Sequence, residues 1–314
     1  MSNVSKGQLE TPDMSVVLCA MGRLELAAYG FRSWMIQDAD RPYQIIMCLF
    51  NDQRELFERL TVGKNPHCQV EIHTFDRPSF FNISASNNLG LHFARGRYVT
   101  FANSDIIYPR HYIRRSAAGM IANHLYYATG TRANLTLAHT KALRPPETYT
   151  AEDSFDFLDR DSDAMELEVW PGFSPWIIER ELVLKLGGYD PKVLVIEDRD
   201  LEDRAMHYLR RHKMQDCIYA MINLVGYHLY HPTSELFINY IDSRVIIDRR
   251  RAAMAADPNG ADDIIENHLD SLPELIEEVR RTQKPPPLKK YRQNFVKKVI
   301  SRFHKAGKVL IGRR

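Results

Sequence analysis

Over its first hundred residues the chain alternates short apolar runs with stretches of helical period. "MSVVLCA" (14–20) reads as a strand, and "LELAAYGFRSWMIQ" (24–37) repeats its apolar positions at helical spacing. "YQIIMCLF" (43–50), a short helix over 54–60, "QVEIHTF" (69–75), a helix in "SASNNLGLHFARG" (84–96) and the strand "RYVTFA" (97–102) continue the pattern. Near-continuous apolar strands alternating with helices predict a parallel sheet covered on both faces, and such sheets bind ligands beyond their C-terminal strand ends. The loops that open at Ala20, Phe50 and Ala102 are therefore where chemistry is expected.

Beyond residue 146 the pattern loosens. Residues 147–168 are acidic and aperiodic and read as a mobile surface loop, and "WPGFSPWIIERELVLKLGGYDP" restores strand and helix signals. "VIEDRDLEDRAMHYLRRH" reads as a loop entering a helix, and "CIYAMINLVGYHLYHP" reads as a strand ending at Pro232. Helices are predicted over 234–256 and 262–282, "KPPPLKK" is a linker, and "YRQNFVKKVISRFHKAGKVL" is a last helix. No internal repeat is visible.

Charge changes this picture at one end only. The chain has 314 residues and a formal net charge of +2, but residues 280–314 carry thirteen Lys or Arg and no acid. The rest holds 29 basic against 40 acidic residues, so an acidic body bears a basic tail suited to an anionic partner. On a helix, Phe295, Val296, Val299, Ile300 and Phe303 form one apolar stripe flanked by Lys297, Lys298, Arg302 and Lys305, the pattern of an interfacial helix. Cys19, Cys48, Cys68 and Cys217 show no metal-finger spacing and no disulfide framework, which favours a reducing compartment. The N-terminus lacks the apolar core of a signal peptide, and no run approaches the roughly 18 apolar residues of a spanning helix. The expected place is the cytoplasm, peripheral on the cytosolic face of a membrane, with an anionic lipid surface as partner and no nucleic acid.

Three polar clusters could carry chemistry. "NSD" (Asn103, Ser104, Asp105) ends a buried strand, where a carboxylate can hold a hard cation against a diphosphate or simply cap a turn. Glu197, Asp198 and Asp200 crowd the start of a helix, either to complement its dipole or to raise one another's pKa toward that of a general base. His228 and His231 lie in a strand-like run, where side chains three apart diverge, so at most one is expected to coordinate.

The segments "SVVLCAMGRLELAAYGFRSWMIQDADRPYQIIMCLFND", "SNNLGLHFARGRYVTFANSDIIYP" and "KLGGYDPKVLVIEDRDLEDRA" together resemble family 2-like glycosyltransferases, the last being similar to a galactosyltransferase-type C-terminal region. The resemblance covers about residues 14–232 and rests most on Glu-Asp-x-Asp-Leu-x-x-Arg (Glu197, Asp198, Asp200, Leu201, Arg204). It implies an α/β GT-A fold, with a Rossmann-like, mostly parallel central sheet flanked by helices and a C-terminal helical extension. The implied division is a glycosyltransferase domain over 1–232, with a donor half at 14–110 and an acceptor half at 165–232. A helical extension over 233–283 and a basic amphipathic tail over 284–314 follow. The implied function is inverting, metal-assisted hexosyl transfer from a nucleotide sugar, a UDP-sugar by preference, to a glycan or lipid-linked acceptor, as in polysaccharide biosynthesis.

The same resemblance implies roles for single residues. Asp198 is the base, with Glu197 beside it, and Asp105 and His228, with His231 second and expected to matter less, hold Mn²⁺ or Mg²⁺. Ala20, Arg23, Asn51, Asp52, Asn88, Asn103, Ser104 and Asp105 meet the donor. Trp170, Trp176, Gly187, Gly188 and Asp200 meet the acceptor. Asn103 stands where the family has an acid and brings no charge to the metal. A sugar nucleotidyltransferase would need a glycine-rich phosphate loop that "CAMGRLE" does not supply. A non-catalytic sugar-nucleotide binder with a degenerate metal site is the stronger rival.

Overall fold

The computed structural model describes residues 11–50, 52–78, 80–150, 152–153, 155, 167–168, 176–231, 237–258, 260, 262 and 264–281. The chain divides into two units, Met1–Gln283 and Lys284–Arg314. The second, with the predicted amphipathic helix, lies outside the described residues, as do Asn51 and Trp170.

Strands and helices alternate as the pattern predicts. In order they are β1 (Met14–Ala20), α1 (Leu24–Met35), β2 (Tyr43–Leu49), α2 (Arg54–Arg59), β3 (Cys68–Thr74), α3 (Ile83–Phe93) and β4 (Tyr98–Ala102). Then come β5 (Ile106–Ile107), α4 (Tyr112–Ala122), β6 (Tyr127–Asn134), α5 (Leu137–Ala142), β7 (Leu167–Glu168), β8 (Trp176–Glu179) and α6 (Arg180–Lys185). The last are α7 (Glu197–Arg211), β9 (Ile218–His228), α8 (Phe237–Ala256) and α9 (Leu272–Arg281). The nine strands among the described residues share one sheet of order β3-β2-β1-β4-β8-β6-β9-β5, with β7 on β6. The strands β3, β2, β1 and β4 pair in parallel. Beyond them the sheet is mixed, because β8 runs antiparallel to both β4 and β6.

The fully buried β1 shows why its run has no polar alternation. Met14, Val16, Leu18 and Ala20 face one core with Phe31 and Trp34 of α1, while Val17 and Cys19 face the other with Ala85 and Leu89 of α3. A period of two with apolar residues on both faces is what a doubly covered strand requires. Among the described residues no helix is long and apolar enough to cross a membrane.

Three expectations are corrected by packing. The loop that starts at 147 is pinned at its near end. Tyr149 and Phe155 are buried with ring centroids 4.4 Å apart, and the buried Arg32 donates from Nε to the Tyr149 carbonyl at 2.8 Å. The helix predicted from 262 begins only at Leu272, because the chain before it lies against α6, with Ile265 N donating to Leu186 O at 3.0 Å. Trp176 is core rather than an acceptor platform: it is 1% exposed, with its ring 5.8 Å from those of Phe101 and Tyr127. Trp176→Ala is therefore expected to lower stability by about 3–5 kcal/mol in chemical denaturation, whereas a surface platform would lose almost nothing.

Candidate functional site

One strand pairing assembles the first cluster. After β4 the chain turns through Asn103 to Asp105, Ile106 N returning to Asn103 O at 3.3 Å, and then pairs as β5 antiparallel to the end of β9. Ile106 stands opposite His228, and Leu229 N donates to the Asp105 carbonyl at 2.9 Å. The Asp105 carboxylate then lies 3.7 Å from His228 Nε2 and 3.1 Å from His231 Nε2. The predicted divergence of the two histidines does not occur. Strand geometry stops at His228, and the turn that follows, tied by Tyr230 N to Thr140 Oγ1 at 2.9 Å, swings His231 back. The nearer histidine is the one expected to matter less.

Arg23 completes the cluster. It has φ of 52° at the start of α1, a left-handed conformation that non-glycine residues seldom hold. Its Nη1 lies 3.6 Å from Asp105 Oδ2 and 3.0 Å from His231 Nε2. That imidazole nitrogen faces a carboxylate and a guanidinium at once, so it can donate to one or accept from the other, not both. Burial pushes Asp105 up, but His231, His228 and Arg23 together outweigh it and hold the carboxyl below its ordinary value. Burial lowers His228, and the Asp105 charge only partly restores it, which keeps that ring neutral and able to ligate.

A divalent cation fits this donor set. One carboxylate oxygen and two imidazole nitrogens lie within 4.8 Å of one another, and such mixed oxygen and nitrogen ligands suit first-row divalent metals. Asn103 is exposed beside them and stands outside the triad. The cleft they line, about 280 Å³, is completed by Cys19, Phe81, Asn87 and Phe101. Gly30 of α1 supports its floor: a Cβ there would overlap the Ser104 carbonyl.

Glu197 and Asp198 open α7, half-buried, behind Ile196 at φ 57°, a strained value for a β-branched residue. Ser243 of α8 holds the strained loop. Its fully buried hydroxyl accepts from Leu194 N at 3.0 Å and Val195 N at 3.2 Å. Burial pushes Asp198 up to about 7, Glu202 adding to the shift and the Arg199 N–H and the Arg132 charge opposing it. Burial also raises Glu197, with Asp198 reinforcing the shift. Arg132 bears on both Asp198 and His228, and the Tyr189 ring, 4.8 Å from Phe101 in the cleft wall, is raised by burial and then by both carboxylates. The two clusters are thus neighbours.

Several expected contacts have other duties. Asn88 is fully buried and clamps Tyr189, donating to its carbonyl at 2.9 Å and accepting from its N–H at 2.8 Å, so its side chain is turned to the protein. Its neighbour Asn87 lines the cleft instead. Asp200 is 1% exposed, paired with Arg204 at 3.1 Å and with Arg250, which also reaches Asp190 at 2.9 Å. It ties α8 to α7 and is closed to an acceptor. Gly187 and Gly188 are buried at φ 76° and 69°, packed on Ile265 and Asn88, and the Gly188 carbonyl accepts from Arg204 Nη2 at 2.5 Å. The Ala20 carbonyl accepts from Phe50 N at 2.8 Å. Asp52 is exposed and lines a separate cavity of about 520 Å³ with Phe75, Asp76 and Arg77. No sequence signal marked Ser243 or Arg250, since each acts across a long separation.

No protein-family model and no curated protein matches the chain. Solved structures do. S. aureus TarS 1–349 in complex with UDP superposes with a TM-score of 0.52 at 12% identity, over 75% of this chain and 64% of that one. A longer TarS structure gives 0.51 at 13%, over 83% and 42%. The mannosyltransferase PcManGT from Pyrobaculum calidifontis, in complex with GDP-Man and Mn²⁺, gives 0.51 at 14%, over 86% and 71%. The fold is GT-A. This chain spans under two thirds of the first TarS structure and under half of the longer one.

Two outcomes follow from this geometry. Asp105→Ala is expected to abolish divalent-cation binding in calorimetry, with His231→Ala weakening it at least as much as His228→Ala; retained binding in Asp105→Ala would remove the triad as a metal site. Ser243→Ala leaves two half-buried N–H groups without their acceptor and is expected to cost about 1–3 kcal/mol in denaturant unfolding.

Proposed function

We propose that this chain is a family 2-like glycosyltransferase, with a galactosyltransferase-type C-terminal region, that moves a hexose from a nucleotide sugar to an acceptor hydroxyl with inversion. The observation that supports it most is the convergence of Asp105, His228 and His231 in a cleft at the strand ends of a GT-A sheet, with Asp198, poised near neutrality at the start of α7, under the influence of the same Arg132 as His228. The neighbours bind UDP, UDP-GlcNAc and GDP-Man, which favours a nucleotide-sugar donor and, by number of examples, UDP.

In this reading Asp198 takes the proton as the acceptor oxygen attacks the anomeric carbon. The bond from that carbon to phosphate oxygen breaks, and the nucleoside diphosphate leaves with the electron pair. Arg23 offsets the charge of the departing phosphates, and Ser243 keeps the base in place. Asp105, His228 and His231 would hold a Mn²⁺ or Mg²⁺, which would supply Lewis-acid neutralisation of the diphosphate. Asp52 contacts the nucleotide from the loop after β2. The acceptor is a glycan or a lipid-linked sugar, met at the cytosolic face of a membrane through the basic tail. One observation favours the rival, a non-catalytic sugar-nucleotide binder: Arg23 already sets a positive charge against Asp105, where a metal's charge would otherwise be needed.

Asp198→Asn separates the two. It keeps the side-chain shape but cannot accept the proton, so transfer is expected to fall about 100- to 10,000-fold with UDP-sugar affinity nearly unchanged. The wild-type rate is expected to rise with pH through about 7 as Asp198 ionises, and the variant to lose that limb. A variant that transfers sugar at the wild-type rate would leave Asp198 as a helix cap.

A further inference from the structure

A groove of about 690 Å³ lies between α7 and α8, and the mechanism above makes no use of it. Met206 and Met254 give it apolar lining, and Arg199, Arg210, Arg211, Lys213 and Arg251 supply cations. Three of these are paired: Arg199 with Glu202 at 3.1 Å, Arg251 with Asp203 at 2.6 Å, and Arg211 with Asp262 at 2.7 Å. Arg210 and Lys213 are exposed and make no ion pair among the described residues. Five cations against the two lining carboxylates, Glu202 and Asp203, leave a positive track on a body that is otherwise acidic.

Helix stability accounts for part of this track: Arg210 and Arg211 sit in the last turn of α7, where a cation complements the dipole, and Arg199 in the first turn pairs with Glu202 and Asp203, three and four positions on. Arg251 comes from the other helix altogether. The track also begins at the chemistry. Arg199 follows Asp198 directly, and Glu202 in the groove wall is close enough to push Asp198 up. From Arg199 to Lys213 the helix and its end cover about 21 Å at 1.5 Å per residue.

We propose that this groove binds the acceptor as an extended anionic glycan, bearing phosphate or carboxylate groups, with its terminal hydroxyl presented to Asp198. The proposal rests on the glycosyl-transfer reading and names its acceptor class. A concave channel between two helices admits a chain and not a bilayer surface. Its lining offers one ring, His207, and no Phe, Tyr or Trp, too few platforms for successive nucleic-acid bases to stack on.

The test is binding by the full chain, measured with labelled poly(glycerol phosphate), polygalacturonate and neutral dextran, with UDP binding measured alongside. Both anionic chains are expected to bind more tightly than dextran and to weaken with added salt. R210E combined with K213E is expected to cost at least tenfold in affinity for them, while R59E, an exposed cation at the end of α2, binds as wild type. Loss confined to one polymer identifies phosphate or carboxylate as the group read. Equal binding of dextran overturns the proposal, as does wild-type affinity in the double variant. So does a chain that ignores all three polymers yet binds anionic-lipid vesicles through Arg210 and Lys213. Because none of these readouts needs turnover, failure of UDP binding or of transfer counts against the donor and base assignments and leaves the groove result standing.

Discussion

The short antiparallel pairing of β5 with β9 is the constraint on which the site depends. Two residues, Ile106 and Ile107, join segments more than a hundred positions apart, and their register puts Asp105 beside His228. Both isoleucines are fully buried, so the pairing is held by burial on both faces as well as by backbone hydrogen bonds. A register slip of one residue would turn the side chains to the opposite face and separate the carboxylate from its imidazoles. The loop beyond β4 can therefore be polar and partly exposed while its geometry stays fixed from both ends.

The second cluster is held by different physics. Its carboxylates are raised by burial, which is unfavourable for their charged forms, and the strain at Ile196 adds to that cost. The opposing stabilisation comes from α8, through the two hydrogen bonds to Ser243 and the pairs from Arg250 to Asp190 and Asp200. Buried ion pairs of this kind add little net stability compared with apolar packing, but losing one partner is costly. Helix α8 is thus tied to the start of α7 by the same contacts that hold the strained loop.

Much of the fold could be read from the chain because its signal is local. The apolar runs 14–20 and 43–50 coincide with β1 and β2 almost to the residue, and β-branched composition with helical spacing between them leaves few alternatives. Asp105 was legible for the same reason, standing at the end of a buried strand. The roles of Asn88, Asp200 and Trp176 were not. A buried amide, carboxylate or indole reads the same in sequence whether it meets a ligand or another part of the chain, and its partner lies 75 or more positions away for Trp176 with Phe101, and 101 for Asn88 with Tyr189. The two histidines failed on a smaller scale: periodicity predicts side-chain direction only while the strand lasts, and β9 stops between them.

Helix α1 meets the Asp105 cluster at two places, through the Arg23 guanidinium at its start and through Gly30 under the Ser104 carbonyl. The two contacts are seven residues apart, about two helical turns, so α1 acts as a rigid lever under the loop. Because the pairing of β5 with β9 holds Asp105 to the histidine strand, a tilt of α1 about Gly30 would change the distance from the guanidinium to the carboxylate while leaving the carboxylate with its imidazoles.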